Sequence, residues 1–451
     1  MKKIIFTIPM IIMLTASCAY LLDEKPSTDL VIPDNLEDLR GLLDSDITVI
    51  GKTGALHTAS SDDFYLRESG FQNVQEIFLG AYQINYDQLE QFRNGDWEVP
   101  YEQIFYCNVV LEELERINPN QSEVVEYNDI KGSAYFLRAY AYFELAVQFN
   151  LHPNNPQAIN ALGLPLKKEA NVNIHPSQSS IDETFQFIMD DLNEARLLLV
   201  NKPKINTRPS IHALEAFFAR IYLYLGKYEL ALEAANKALQ FNKELIDFNQ
   251  LNLSAARPMP RSDINPEIIF NSVMLSQTPL RLAPGSASLE LFQSYEENDL
   301  RKSAYFNVVQ GFPLFKGTYT GLIPFFTGLA TNEMMLIVAE SAARMNDYNL
   351  ALEKLNQLMN NRYRQGTFVS NTKENTPDVL KKILEHRRKE LVFRGLRWYD
   401  FKRLAFDSEN QFEIVRKFGE HELHLSPTDL KTAFPIPLHD IELSDLIQNP
   451  R

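Results

Sequence analysis

Two stretches of this chain repeat one pattern, and that pattern restricts the fold more than any other feature. Residues 213–239 alternate small, aromatic and apolar positions through a central Gly226-Lys227-Tyr228, followed by Ala231-Leu232. Residues 333–355 echo them, with Asn346-Asp347-Tyr348 followed by Ala351-Leu352. On both sides of these turns apolar residues return every three to four positions, the period of a helix with one buried face. Ala231, Ala235 and Ala238 form a small-residue stripe on which a second helix can approach closely, and Tyr228 is placed to fill the wedge between them. A unit of this kind cannot bury its apolar face alone. The chain is expected to be mostly α-helical, with helical units at 102–149, 181–225, 228–242 and 333–361.

The repeated unit resembles the tetratricopeptide helix–turn–helix, whose tandem period is 34 residues. Here the two copies stand about 120 residues apart, so the expected architecture is a scaffold of tetratricopeptide-like helix pairs carrying long irregular insertions. Those insertions are visible. Residues 151–178 are rich in Pro and Asn, and 252–287 and 296–330 lack helical period. Long irregular stretches in a helical protein are functional surface or disordered. The aromatics of the last stretch, among them Tyr305, Phe306, Phe312 and Phe315, argue against disorder.

The first residues carry a different signal. Lys2 and Lys3 precede an apolar run, Ile4 to Leu14, and small residues Thr15, Ala16 and Ser17 lead into Cys18. This is the layout of a secretory signal, too short to span a bilayer as a helix. The cysteine after small residues resembles a bacterial lipoprotein box, which implies cleavage before Cys18 and lipid addition to it. The expected organisation is a signal peptide at 1–17, a lipid-anchored tether at 18–32 and one domain at 33–451, with an N-terminal part to about residue 250 and a C-terminal part beyond it. Net charge is −15, or −17 without Lys2 and Lys3, which argues against nucleic acid as a partner. Of two cysteines, Cys107 lies in an apolar stretch and reads as a small buried hydrophobe.

Residues 385–403 carry the most specific pattern. Arg387, Glu390, Arg394, Arg397 and Asp400 fall at steps of three or four, so on one helix they would line one face and pair along it. Gly395 would allow a close backbone approach. With Trp398, this string resembles the "ER-x-x-EL-x-FEG-x-R-W-x-D-L-x-R" motif of the SusD/RagB family of nutrient-binding outer-membrane lipoproteins, departing from it at His386 and Arg394, where the family has Glu. Other segments are similar to family motifs in the same order: Trp97, Tyr101, Ile104 and Asn108; Leu137 to Phe143; Glu267 to Phe270; Glu333 to Glu340; Phe434 to Pro437; and Gln448-Asn449-Pro450.

The resemblance implies a SusD-like fold and capture rather than catalysis. It implies binding of an oligomeric nutrient, an oligosaccharide or a peptide, on the outside of the outer membrane, and delivery to a SusC-like TonB-dependent transporter. A sugar needs a flat aromatic face and polar groups for its hydroxyls. Trp97 and Trp398 fall in structural motifs and read as core, so the expected platform is Tyr or Phe. One candidate group is Tyr65, Phe71, Phe78, Tyr82 and Tyr86, downstream of Asp62-Asp63. The other is Tyr305, Phe312, Tyr319 and Phe325 in the irregular stretch, of which Tyr319 and Phe325 are the leading pair. No Gly-rich phosphate loop, His-Glu-x-x-His or Gly-x-Ser-x-Gly elbow occurs in the sequence, so no enzyme, cofactor or metal is expected. His421 and His424, spaced to meet on a helix, lack a third ligand. The alternatives are a lipid-anchored tetratricopeptide adaptor and a secreted glycan-active enzyme. The aromatic insertions and the missing catalytic signature count against them respectively.

Overall fold

A computed structural model describes residues 33–45, 50–275, 278–418 and 420–451. The expected signal, Cys18 and tether lie outside these residues. The main helices are α1 (Leu36–Asp44), α2 (Gly95–Leu114), α3 (Val124–Phe149), α4 (Ile181–Leu198), α5 (Ile211–Tyr224), α6 (Tyr228–Phe241), α7 (Thr331–Arg344), α8 (Tyr348–Met359), α9 (Val379–Glu390) and α10 (Leu396–Arg403). In space α2, α3 and α4 pack in succession, and α5, α6, α7 and α8 do the same, with α9 against α7. The two runs join through rings: Phe136, Tyr140 and Phe143 on α3 meet Phe217 on α5 at 5.6, 4.9 and 5.4 Å.

Local chemistry fixes the helix ends. Ser180 caps α4 with a reciprocal box: its hydroxyl accepts the Glu183 amide at 3.1 Å, and the Glu183 carboxylate accepts the Ser180 amide at 2.8 Å. The two repeated turns share a backbone device as well as a sequence. Gly226 and Asn346, at matched positions, both adopt left-handed conformations, φ 72° and 64°, which glycine and asparagine tolerate best at a helix end. The alanine stripe is buried as expected, with Ala231, Ala235 and Ala238 all at 0% exposure. It lets α6 sit between α5 and α7 although about 90 residues separate α6 from α7 in sequence.

The insertions are ordered by small two-stranded sheets and by rings. Strand β1 (Phe64–Leu66) pairs antiparallel with β3 (Gly285–Ala287), Tyr65 opposite Ser286. β2 (Ile268–Phe270) pairs with β6 (Leu329–Ala330). β4 (Phe306–Val309) and β5 (Phe312–Phe315) form a hairpin closed by Gln310 and Gly311, both at positive φ, the twist that two-residue hairpin turns favour. β7 (Ile414–Phe418) pairs with β8 (His421–Leu425), so His421 and His424 lie on a strand and the helical spacing does not apply. Among the described residues no three potential ligands form a metal site, and no helix is long and apolar enough to cross a membrane.

One expectation is corrected. Residues 385–403 are two helices, because α9 stops at Glu390 and Phe393 (φ 55°) and Gly395 (φ 79°) turn the chain. The turn is held by packing: the Phe393 ring stands 5.1 Å from Phe315 and is stacked on Phe325 at 6.0 Å. The close approach at Gly395 is real, since a Cβ there would meet Nε2 of His57 at 2.7 Å. The charges do not pair along one helix face. Arg387 reaches Asp400 across the turn at 3.0 Å, and Glu390, Arg394 and Arg397 bind residues far away in sequence.

Burial also sets a response to acid. His152 sits between the helix runs, its Nε2 on the Tyr224 carbonyl at 2.8 Å and its Nδ1 accepting the Asn154 amide at 3.1 Å. That arrangement needs the neutral ring, and burial pushes its pKa down to about 3 despite the Tyr224 bond. The unfolded chain would bind a proton near pH 6.5 while the folded chain does not. Stability therefore falls as pH drops below about 6.5, by about 1.4 kcal/mol per pH unit for this group. Urea midpoints taken from pH 7 to 5 should decline, and His152→Gln should flatten part of that slope.

Candidate functional site

Strand β1 begins at two adjacent carboxylates that are already committed. Asp62 takes two bonds of 2.7 Å from the Arg397 guanidinium and a 2.9 Å contact from Arg388, while Arg388 also bonds Asp63 at 2.8 Å. Burial alone would raise the Asp62 pKa, but Arg397 and Arg388 hold it down at about 2. Arg416 donates to the carbonyls of Ala59 and Ser61 at 3.0 and 2.6 Å. The C-terminal motif and the β7 strand thus grip residues 59–63 and fix the direction in which β1 leaves. The alternation of β1 then decides the rest: Phe64 and Leu66 point into the core, and Tyr65, 37% exposed, points out.

Against Tyr65 stands Phe312 of the β4–β5 hairpin, its ring parallel within 4° and 6.2 Å away between centres. The Arg67 guanidinium lies 4.1 Å from the Phe312 centre, while its Nε and backbone amide both donate to the Pro284 carbonyl, at 3.2 and 3.3 Å. Two stretches about 250 residues apart therefore supply one aromatic surface backed by a cation. Exposed Val309, the cross-strand partner of Phe312 in the hairpin, extends it on one side.

The other sequence candidates do not present such a face. Phe71 is half-buried, its ring 6.3 Å from Tyr82 and 6.1 Å from Phe418. Phe78, Tyr82, Tyr86, Tyr319 and Phe325 are 4, 2, 3, 2 and 0% exposed. Tyr82 lies under Arg416 at 4.0 Å, and the Tyr86 hydroxyl donates to the Lys431 carbonyl. The Tyr319 hydroxyl donates to the Glu267 carboxylate, and Phe325 is wedged between Phe315 and Phe393. These five belong to the buried core and have no open ring face for a ligand. Of the residues expected at the site, Tyr65 carries the open surface. Sequence reasoning placed Phe312 in the right stretch but passed over Arg67, whose only signal was a cation two residues after Tyr65.

Beneath the insertion lies a buried ion network. Arg362 donates to Glu390 at 2.8 Å, to Glu267 at 2.9 and 3.1 Å and to the Ile246 carbonyl at 2.6 Å. Arg301 bonds Asp299 at 2.7 Å, Glu390 at 3.1 Å and Nδ1 of His386 at 3.1 Å. Burial opposes ionisation of Glu390, but Arg362 and Arg301 hold its pKa below the usual carboxylate range. The two positions that depart from the family motif fit this network. Burial and the facing Arg301 depress the His386 pKa well below its ordinary value, so the ring is a neutral acceptor. Arg394 reaches Asn332 at 3.0 Å and Glu333 at 3.5 Å and covers the Phe326 ring at 4.7 Å.

Comparison with known proteins agrees with this architecture. A family model described as "Starch-binding associating with outer membrane" matches residues 21–223, and the SusD family model matches 331–451. SusD-like protein P2 of Formosa agariphila is 24% identical over 78% of this chain and 79% of its own length. SusD-like protein P38 of the same organism is 28% identical over 39% of this chain, a match that spans 30% of P38. A SusD superfamily protein of Bacteroides thetaiotaomicron superposes with a TM-score of 0.75 at 20% identity, over 92% of this chain and all of the other. With both family models on the chain and the helical scaffold common to these structures, this protein belongs to the SusD/RagB family.

Proposed function

We propose that this protein is a lipid-anchored receptor on the outer face of the outer membrane that captures an oligosaccharide and passes it to a SusC-like TonB-dependent transporter, without catalysis of its own. The observation that carries the capture step is the Tyr65–Phe312 surface. A flat ring with an open face accepts the apolar side of a sugar, and Arg67 beside it is a donor within reach of hydroxyls. The surface is held by the ion pairs at Asp62-Asp63 and by the β4–β5 hairpin, so little order has to be gained on binding. The starch-binding description of the matching family model supports the choice of a glycan. Retardation in gels containing starch, xylan, laminarin or mannan tests it. At least one glycan should retard the wild type, and Tyr65→Ala and Phe312→Ala should each weaken that binding about tenfold or more, the scale of a lost stacking contact with its desolvated surroundings. Unchanged retardation in both variants, or retardation by none of the glycans, would remove the surface from the account.

Anchoring has a separate test. Cys18→Ala should move the protein from the membrane fraction to the soluble fraction, since acyl chains contribute about 0.8 kcal/mol per buried CH₂. Persistence of the variant in the membrane fraction would refute lipidation at Cys18.

A further inference from the structure

The capture surface carries a charge that its surroundings do not cancel. Arg67 is half-buried, its guanidinium centre 4.1 Å from the Phe312 ring centre and its Nε committed to the Pro284 carbonyl at 3.2 Å. Its two terminal nitrogens have no hydrogen-bond partner among the described residues. The chain has 59 acidic residues against 44 Lys and Arg, so carboxylates are in surplus, yet the nearby ones serve other arginines. Asp62 and Asp63 are held by Arg388 and Arg397, and Glu290 by Arg388. Among the described residues no carboxylate, Glu68 next in the chain included, forms an ion pair with Arg67. A second arginine is close by in the fold. Arg281 ends the short helix Thr278–Arg281, which packs against β5, the strand that carries Phe312.

A neutral sugar needs no such charge, because its hydroxyls are satisfied by neutral donors. A guanidinium kept clear of acids suits an oxyanion. A carboxylate or a sulfate ester can accept two parallel N–H bonds from its planar fork, and such charge-assisted bonds are about twice as strong as neutral ones. On a chain of net charge −15, a positive spot beside the open ring would also orient an acidic chain that the rest of the surface repels. We infer that the capture surface selects an acidic glycan, one whose ring stacks on Tyr65 while its carboxylate or sulfate ester pairs with Arg67. This rests on the capture reading above and adds the class of substrate.

Retardation gels of the full chain test it. Polygalacturonate, alginate and glucuronoxylan are each run beside their carboxyl-reduced forms, and carrageenan beside its desulfated form, so that the two members of a pair differ in the acid group. At low salt at least one acidic form should bind about tenfold or more tightly than its neutral counterpart. A preference among the uronates identifies a carboxylate site, and one confined to carrageenan a sulfate site. Added salt should narrow the gap. Arg67→Gln should bring the pair to within about threefold. Arg67→Lys keeps the charge without the planar fork and should retain part of the preference, which a mere loss of packing would not do. Both variants should keep the wild-type melting temperature, and if Arg67→Gln does not fold, Arg67→Lys and the salt dependence decide.

Equal retardation within every pair, or a preference that Arg67→Gln leaves intact, overturns the proposal. So does a preference that survives both Tyr65→Ala and Phe312→Ala, since the acid is then bound elsewhere. Equal retardation that Tyr65→Ala abolishes removes the acidic ligand and leaves the capture reading standing. Retardation by no member of any pair, nor by the neutral glycans above, removes capture itself and this inference with it.

Discussion

Glu390→Ala should cost about 3–5 kcal/mol of folding free energy, read as a lower urea midpoint at constant slope. The carboxylate is fully buried and takes bonds from Arg362 at 2.8 Å, Arg301 at 3.1 Å and Asn332 at 2.8 Å. Removing it leaves two guanidiniums in the interior with one acid each, Glu267 and Asp299. The expense lies in three buried donors left without an acceptor, Arg301 Nη1, Arg362 Nε and Asn332 Nδ2, since a buried network is costly to break even where its net contribution is small. Against a typical total of about 5–15 kcal/mol, a change of this size can unfold the chain at growth temperature. Glu390→Gln should be nearly as damaging, because it keeps the shape but turns one acceptor into an amide donor facing a guanidinium N–H. A loss under about 1 kcal/mol in both would mean that Arg301 and Arg362 find other partners.

Trp398→Ala should be comparably severe, about 3–5 kcal/mol, for a different reason. The indole is 0% exposed and lies 5.3 Å from Phe401 and 5.4 Å from Phe434 between ring centres, so truncation leaves a cavity that neighbouring rings cannot collapse into. The indole N–H has no hydrogen-bond partner, hence Trp398→Phe loses volume without losing a bond and should cost well under half as much. Loss of glycan binding in Trp398→Ala with an unchanged melting temperature would instead make Trp398 a ligand contact.

These two predictions separate what local sequence carries from what it does not. The paired helices were legible because their determinants are local: the alanine stripe at 231, 235 and 238, the left-handed Gly226 and Asn346, and the Ser180 capping box each act within one or two turns. The break between Glu390 and Leu396 was not legible. Charges at steps of three or four satisfy a continuous helix as well as the observed bend, and what selects the bend is Phe393 packing on Phe315 and Phe325, some 70 residues away. The aromatic candidates failed to separate for the same reason. Tyr65 and Tyr82 are the same residue type in one short stretch. One faces solvent because β1 alternates from an anchor at Asp62-Asp63, and the other is buried under Arg416, more than 300 residues away in sequence. Exposure of a single ring is decided by tertiary contacts that neither composition nor period records. Cys107 was the easy case: an apolar helix face buries it completely, and burial pushes its thiol pKa up to about 12, so it stays protonated and inert.

Capture and delivery together are tested most directly by purifying the full-length protein from native outer membranes and identifying what accompanies it by mass spectrometry. The account predicts a large TonB-dependent transporter in near-equal amount. Recovery of soluble periplasmic proteins with no transporter would contradict it and favour a membrane-anchored adaptor.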